Sequence, residues 1–266
     1  MTRRRLDAEL VRRGLAASRT EAQTAVRDGI VRLGGRVAEK PSTLVQPAES
    51  IELVAPARRF VSRGGEKLDA ALDRFEVDPV GRGCLDVGAS TGGFTDCLLR
   101  RGAERVIAVD VGYGQLAWSL RRDPRVTVLE RTNARELTRD DLPYAPSLIV
   151  GDLSFISLAL VVPALAGVAG PGSDLVLLVK PQFEAGPRDV GRGGVVRDPA
   201  VWRRALERVI EACEGAGLGV EAVMPSPLPG PAGNVEFPLH AVKGTAARGP
   251  DVDGALAEGA GIGGSR

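Results

Sequence analysis

Small and polar residues cluster in one stretch of the chain, Cys84-Leu-Asp-Val-Gly-Ala-Ser-Thr-Gly-Gly-Phe-Thr95. The pattern predicts a short apolar strand, a turn from Gly88 to Gly93, and then a helix. Such a turn leaves backbone N–H groups open for a ligand. Asp110 ends a second apolar run, where a carboxylate can accept hydrogen bonds from both hydroxyls of a ribose.

The glycine spacing limits which ligand this turn can hold. Glycines at 88, 92 and 93 do not form the G-x-G-x-x-G pattern of dinucleotide enzymes, because the glycine that admits a pyrophosphate is missing. The turn therefore favours a nucleoside without phosphates, and S-adenosylmethionine (SAM) is the obvious candidate. The alternative is that these glycines serve only the tight packing of a doubly wound sheet.

The elements that must position these residues recur along the second part of the chain. Strand candidates lie at 84–88, 105–110, 126–130, 146–151, 174–180, 219–224 and 235–242, with helix-length segments between most of them. This alternation predicts an α/β domain of Rossmann-like type, with a mainly parallel sheet covered on both faces. Ligands of such sheets bind beyond the carboxyl ends of the strands. That rule selects Asp86 with Gly88, Asp110, Asp152 and Lys180.

Four charged residues at or near these ends could do chemistry. Lys180 ends an apolar run that Pro181 stops, so its amine either reaches solvent or serves a reaction. Asp152 follows Leu-Ile-Val-Gly in the same way. Lys67 lies at an expected helix start and Glu236 opens the last strand, and each could equally be an ordinary surface charge.

The net charge of +1 conceals two modules of opposite sign. Residues 1–65 hold 13 Lys and Arg against 7 Asp and Glu, and the remainder holds 22 against 27. Residues 1–58 read as two short helices and a small β-ribbon, with arginines crowding the helical part. Basic residues on a rigid helix pair suit the phosphates and shape of structured RNA, and the alternative is a solvated arginine-rich surface.

Further features bound the class of protein. The three cysteines lie far apart, as expected for reduced thiols, and the N-terminus shows no apolar segment of a secretion signal, so we expect a cytoplasmic protein. The uncharged run Leu153–Ser173 contains prolines and glycines and is interpreted as a packed helix with a loop rather than a membrane span. Pro56 and the pair Gly64-Gly65 mark a linker, in which Arg58, Arg59, Phe60 and Arg63 could contact RNA or be pinned to the sheet.

The first module resembles the S4-type RNA-binding domain of ribosomal and RNA-modifying proteins. The resemblance is carried by the segment Arg5–Ala22, followed by Gly29, Val31 and Gly34-Gly35. It implies RNA as the partner. The arginines expected to contact RNA are Arg4, Arg5, Arg12, Arg13, Arg19 and Arg59.

Residues 1 to about 243 resemble the TlyA family, whose members are known both as hemolysins and as ribosomal RNA methyltransferases. The matching segments are Ser62–Gly65, Asp86–Thr95, Asp110–Trp118, Glu130–Ala134, Asp152–Ser157, Lys180–Glu184, Gly193–Asp198 and Ser226–Asn234. Lys67, Asp152, Lys180 and Glu236 match the Lys-Asp-Lys-Glu set of the FtsJ-type ribose 2′-O-methyltransferases. We therefore expect an S4-like domain at 1–58, an FtsJ-like SAM-dependent domain at 59–243, and a disordered tail at 244–266.

The resemblance implies methyl transfer from SAM to the 2′-oxygen of cytidines in 16S and/or 23S ribosomal RNA, with no metal and no membrane involved. A lysine can be the general base only if its pKa is lowered. Burial and a second cation nearby lower the pKa of a lysine, whereas nearby carboxylates limit that shift. Lys180 is assigned as the base and Lys67 as a stabiliser of the developing oxyanion, with the opposite assignment left open. Asp152 would orient the base and face the sulfonium, and Glu236 would bind the ribose or a lysine.

The residues expected to line the SAM site are Asp86, Gly88, Ser90, Thr91, Gly92, Gly93, Phe94, Asp110 and Asp152. Three other functions stay open: a SAM enzyme with another RNA target, an inactive RNA-binding protein, and a membrane-lytic hemolysin. The absence of a basic amphipathic helix with large aromatic residues argues against the last.

Overall fold

A computed structural model of the chain describes residues 3–16, 18–27, 29–54, 59–186, 188–191 and 193–263. It divides into two compact units, Met1–Arg58 and Arg59–Arg266. Residues 55–58 of the expected linker lie outside the described residues. Arg59 and Phe60, which follow them, belong to the second unit.

The first unit combines two helices with short antiparallel strands. Leu6 and Leu10 are both fully buried because their spacing of four places them on one helical face. The Gly34-Gly35 turn has positive φ at both residues, 56° and 82°, which is the geometry that a two-residue hairpin requires. The elements are β1 (Arg4–Arg5), α1 (Leu6–Arg12), α2 (Arg19–Arg27), β2 (Val31–Leu33), β3 (Arg36–Val37), β4 (Leu44–Val45) and β5 (Ile51–Leu53). β1 pairs with β4, and β2 lies between β3 and β5.

The second unit is built on a seven-stranded sheet in the order β11-β12-β10-β9-β6-β7-β8. Its strands are β6 (Gly83–Val87), β7 (Arg105–Asp110), β8 (Val126–Glu130), β9 (Leu148–Gly151), β10 (Asp174–Val179), β11 (Leu218–Val223) and β12 (Phe237–Lys243). The five strands from β10 to β8 are parallel, and β12 runs antiparallel to β10 and to β11. The expected mainly parallel sheet and Rossmann-like fold are confirmed.

Helices cover both faces of this sheet. They are α3 (Gly64–Arg74), α4 (Gly93–Arg100), α5 (Trp118–Arg121), α6 (Val162–Val168), α7 (Pro181–Glu184), α8 (Pro199–Gly215) and α9 (Val252–Gly263). One buried cluster lies beneath α3, α4 and α5, and a larger one beneath α6, α8 and α9. β6 and β9 are neighbours although the chain forms β7 and β8 between them, so the strand order reverses there. A crevice at the carboxyl ends of β6 and β9 is the expected ligand site of this topology.

The expectation of a disordered tail is wrong for residues 252–263, which form α9. Its glycines give a weak helix signal in the sequence, but Ala255 and Leu256 are buried in the larger core cluster. Gly259 also brings the helix close to the sheet, since a Cβ there would lie 3.2 Å from the Phe237 ring. Tertiary burial therefore orders a segment whose local propensity is poor.

The uncharged run Leu153–Ser173 forms a short 3-10 turn and α6. Within the described parts of the chain, none of the helices has the length and apolar character that crossing a bilayer demands.

Candidate active site

The four polar residues that the strand-end rule selected lie at or near the carboxyl ends of parallel strands in the second unit's sheet. Asp86 lies near the end of β6, Asp110 ends β7, and Asp152 and Lys180 directly follow β9 and β10. Parallel strands bring these ends together, which is why sequence position alone identified them.

The first ion pair of the site joins Lys67 and Glu236. Lys67 lies in the first turn of α3, and Glu236 directly precedes β12. Lys67 Nζ donates to Glu236 Oε2 at 2.5 Å, and the two residues are 6% and 1% exposed. A buried ion pair of this kind holds both side chains in a single geometry, because separating the partners would strand a charge away from water.

The second ion pair joins Lys180 and Asp152. Lys180 Nζ lies 2.6 Å from Asp152 Oδ1 and donates to Ser154 Oγ at 2.8 Å. Lys180 is buried, whereas the Asp152 side chain is 24% exposed. The ammonium also lies 5.8 Å from the centre of the Phe183 ring, which contacts the 92% exposed Phe155.

The structure thus arranges the four predicted charged residues as two pairs, and Gln182 contacts one of them. Gln182 lies two positions after Lys180 in α7, and its Nε2 donates to Glu236 Oε1 at 3.4 Å. Its Oε1 is buried without a hydrogen-bond partner among the described residues. Sequence reasoning had not selected Gln182 or Ser154, although both lie within segments that carry the family resemblance.

The backbone around Glu236 is shaped to the carboxylate. A Cβ at Gly230 would overlap Glu236 Oε1 and lie 3.1 Å from its Cδ. Asn234 is 2% exposed, and its side chain accepts from Val196 N at 2.9 Å and donates to Gly194 O at 2.9 Å. Gly230 therefore limits the space of the Glu236 carboxylate, and Asn234 ties segment 226–234 to segment 193–198. Local sequence pattern revealed neither contact.

A buried carboxylate also anchors the loop that follows Asp152. Glu184 in α7 is 4% exposed and accepts from Ser157 Oγ and from Leu158 N, each at 2.5 Å. Burial raises the pKa of Glu184, while these donors oppose the shift. The contacts tie the loop bearing Asp152 and Ser154 to the helix that Lys180 precedes.

The glycine-rich turn combines open backbone with close packing. Gly88 has φ 83°, and a Cβ there would lie 2.7 Å from Asp152 O. Ser90 and Thr91 are exposed. Gly92 packs against Leu116 and Leu120, and Gly93 against Ser62 and the Gly65 backbone; Phe94 is buried in the core. Ser90 and Thr91 are therefore the exposed residues of the predicted SAM turn, whereas Ala89 and Phe94 are buried and Gly92 and Gly93 have no room for a side chain.

Two carboxylates border this turn. Asp110 accepts from Ser90 N at 2.8 Å and from Gly112 N at 2.7 Å, and so holds the turn against the next loop. Asp86 is fully buried and accepts from Thr95 Oγ1 at 2.6 Å, while its Oδ1 has no partner within the described part of the chain. Burial raises the pKa of Asp86 to about 7, although the Thr95 hydrogen bond opposes the shift.

The predicted RNA-binding arginines occupy different settings. In the first unit, Arg5 and Arg19 pair with Asp7, and Arg12 and Arg13 pair with Glu9. Arg4 is exposed. In the second unit, Arg59 pairs with Asp69 and lies over the Phe60 ring. Phe60 is 2% exposed, so this part of the expected linker is held in place by burial of the Phe60 ring.

His240, the only histidine, lies in β12. Its Nε2 lies 2.8 Å from Asp174 Oδ1, and its ring stacks on Phe75. Across the described residues, no group of three or more His, Cys, Asp or Glu side chains has the arrangement of a metal site.

Together the fold and the site define a methyltransferase domain accompanied by a small RNA-binding module. The model of the FtsJ-like methyltransferase family matches residues 60–243, and that of the S4 domain matches residues 4–51. The chain belongs to the TlyA family of FtsJ-like methyltransferases, which confirms the resemblance seen in its sequence motifs.

Relatives of known name cover most of the chain. It is 55% identical, over 88% of either chain, to the 16S/23S rRNA (cytidine-2′-O)-methyltransferase TlyA of Mycobacterium tuberculosis. It is 38% identical to Hemolysin A of Brachyspira hyodysenteriae, over 89% of this chain and 98% of the relative. A solved structure named "Putative hemolysin" from Streptococcus thermophilus is 37% identical, with a TM-score of 0.79 over 98% of this chain and 97% of that chain.

Proposed function

We propose that this chain transfers a methyl group from SAM to the 2′-oxygen of cytidine in ribosomal RNA of the small subunit, the large subunit or both. The observation that carries the proposal is the pair of buried lysines, each held by a carboxylate, at the carboxyl edge of a methyltransferase sheet. The named activity of the Mycobacterium tuberculosis relative supports the choice of cytidine and of the ribose.

The turn beside β6 fits SAM. The turn lacks the glycine that a pyrophosphate needs, and Thr91 is exposed beside it. Asp110, which already accepts from Ser90 N, keeps further acceptor lone pairs for a ribose. Asp152 lies beside the turn, where its carbonyl oxygen is close to Gly88, and its carboxylate pairs with Lys180. This carboxylate is partly exposed and can therefore face a sulfonium. When bound, SAM supplies an electrophilic methyl group on that sulfonium.

The chemistry left to the chain is to activate and align a poor nucleophile. A ribose hydroxyl must lose its proton as its oxygen bonds to the methyl carbon and the carbon–sulfur bond breaks. Lys180 accepts that proton at Nζ from its neutral amine form and becomes an ammonium, while Asp152 and Ser154 fix the direction of the amine. Lys67, oriented by Glu236, donates a hydrogen bond to the oxygen as its negative charge develops.

The two lysines can be distinguished by substitution. With the base removed, Lys180→Ala should abolish methyl transfer while leaving SAM binding intact. Lys67→Ala should reduce the turnover but retain some activity, because a missing hydrogen-bond donor typically costs about 10² to 10³ in rate. The reverse ranking would exchange the two roles.

We propose further that residues 1–58 bind the ribosomal RNA and residues 59–243 carry out the transfer, in the cytoplasm where ribosomal subunits are assembled. An S4 domain match and the net positive charge of the N-terminal part support the division. The exposed guanidinium groups of the first unit would contact phosphates, which set the register of the RNA rather than its sequence specificity.

The decisive experiment is transfer of radiolabelled methyl from SAM to isolated 30S and 50S subunits, followed by digestion of the RNA to nucleosides. Label in 2′-O-methylcytidine that is absent with Lys180→Ala is the expected result. Label on a base would refute ribose methylation and the roles given to Lys67, Asp152, Lys180 and Glu236. No transfer to either subunit despite SAM binding would refute the proposed substrate.

A further inference from the structure

Two buried carboxylates in the first unit each hold two arginine side chains. Asp7 pairs with Arg5 and Arg19, and Glu9 pairs with Arg12 and Arg13. Both acids lie in α1.

Asp7 is surrounded by donors on every side. Arg5 donates to both of its oxygens, from Nε at 3.1 Å and from Nη2 at 2.9 Å. Arg19 Nη2 and Gln23 Nε2 donate from α2, at 3.2 and 3.0 Å to Oδ2. These hydrogen bonds, that of Arg5 above all, hold the pKa of Asp7 well below its usual range, even though burial acts in the opposite direction.

Glu9 is 1% exposed and accepts hydrogen bonds from two arginines that follow it in the sequence. Arg12 binds it with two parallel hydrogen bonds, Nε to Oε2 at 2.8 Å and Nη2 to Oε1 at 2.6 Å. Arg13 Nε adds a third at 2.9 Å. Bidentate pairing of this kind fixes the plane of a guanidinium as well as its position.

Three of the four arginines keep part of their donor set available. The side chains of Arg5, Arg12 and Arg19 are 46%, 50% and 59% exposed. In the part of the chain that the structure describes, Asp7 and Glu9 bind these arginines through Nε and Nη2 and not through Nη1. Arg13 differs, because its side chain is 22% exposed and also donates to the carbonyls of Pro47 and Glu49. Its hydrogen bonds therefore stabilise the fold of the first unit.

We propose that Asp7 and Glu9 are positioning residues for RNA binding, which hold the guanidinium groups of Arg5, Arg12 and Arg19 in one geometry ready for phosphates. This inference rests on the proposed function, in which the first unit binds ribosomal RNA. A free arginine side chain loses rotamer entropy when it binds, and a side chain already held by a buried carboxylate loses less.

The inference is testable because charge and geometry predict opposite effects. Each carboxylate reduces the positive charge of the surface, so charge alone predicts that its removal tightens RNA binding. If the carboxylate positions the arginines, its removal weakens binding even though one negative charge has been lost.

The test compares the full-length variants Glu9→Gln and Asp7→Asn with Glu39→Gln. Glu39 is an exposed acid of the same unit. Its substitution makes the same charge change and leaves the arginine contacts of Asp7 and Glu9 in place. Binding to isolated 30S and 50S subunits is measured by filter retention across a salt titration, with an unrelated RNA duplex as comparison. Thermal unfolding confirms that each variant is folded at the temperature used.

We expect Glu9→Gln and Asp7→Asn to bind the ribosomal subunits roughly tenfold more weakly than the wild type, with the loss persisting at every salt concentration. Glu39→Gln should bind as well as the wild type or more tightly, and this gain should fade as salt rises. Glu9→Gln decides the question if Asp7→Asn does not fold. The described donors to the Glu9 carboxylate are arginine side chains, whereas the Asp7 carboxylate also accepts from the backbone Ala8 N.

If the folded Glu9→Gln variant binds the subunits as tightly as the wild type or more tightly, as Glu39→Gln should, the inference is overturned. The proposed function would remain intact. A wild type that binds neither subunit more tightly than the unrelated duplex would instead overturn the proposed RNA partner. The two failures are therefore distinguishable in one experiment.

Discussion

Substitution of Gly230 by alanine should disable the site through a single methyl group. The new Cβ would overlap Glu236 Oε1 and lie 3.1 Å from Cδ, whereas ordinary contacts between carbon atoms are about 3.5 to 4.0 Å. The carboxylate must therefore move by about 0.5 to 1 Å, and its hydrogen bond from Lys67, now 2.5 Å, must lengthen or turn. A displacement of about 1 Å in a catalytic arrangement costs roughly 10² in rate.

The backbone itself tolerates the change. Gly230 is not among the residues with positive φ, so alanine fits its conformation and slightly reduces the entropy of the unfolded chain. The side chain that must give way is the end of Glu236, not a rigid backbone segment. We therefore expect kcat for methyl transfer to fall about 100-fold with little change in thermal stability or in the dissociation constant for SAM.

A matched control is available in α6. Gly167→Ala adds the same methyl group at an exposed helical position where no atom lies within 4 Å. It should keep the wild-type kcat and stabilise the fold by up to about 1 kcal/mol. The assay is single-turnover methyl transfer to ribosomal subunits at saturating SAM, with calorimetry for SAM binding. A Gly230→Ala enzyme with wild-type kcat would show that the position of Glu236 does not matter, and a parallel loss of folding would show that the glycine is merely structural.

Three further outcomes follow from buried polar groups. Asp86→Asn should change how the free energy of unfolding depends on pH. Burial raises the pKa of Asp86 in the folded state from 3.8 to about 7, so the wild type loses about 4 kcal/mol of stability as pH rises between these values. About 3 kcal/mol of this loss falls between pH 5 and pH 8, and denaturant unfolding at these two pH values should show it only in the wild type. Glu184→Gln should lower kcat roughly tenfold, because the loop held at Ser157 and Leu158 loosens, and an unchanged kcat in single-turnover assays would contradict this role. Arg13→Ala should destabilise the first unit by about 1 to 3 kcal/mol, because the carbonyls of Pro47 and Glu49 lose this donor and Glu9 loses one of its two arginines. Thermal unfolding measures the effect, and weaker RNA binding by a variant of unchanged thermal stability would contradict it.

The sequence by itself determined the class of fold and the edge of the sheet at which the chemistry lies. Apolar runs of strand length alternate with helix-length segments, and the seven expected strands all form within one or two residues of their predicted bounds. Asp110, Asp152 and Lys180 could be selected because a polar residue that ends a buried parallel strand must lie at its carboxyl edge. These inferences depend on local sequence pattern, which can be read without knowing the contacts between distant segments.

Only the tertiary structure decided which side chains meet. Lys67 and Glu236 are 169 positions apart, and no local pattern specifies that they pair with each other while Lys180 pairs with Asp152. Close packing likewise leaves no room for a side chain at Gly92 and Gly93, and it orders α9 despite its glycines. Contacts between distant segments depend on the shape of the assembled core, so their partners became apparent only once that core was in place.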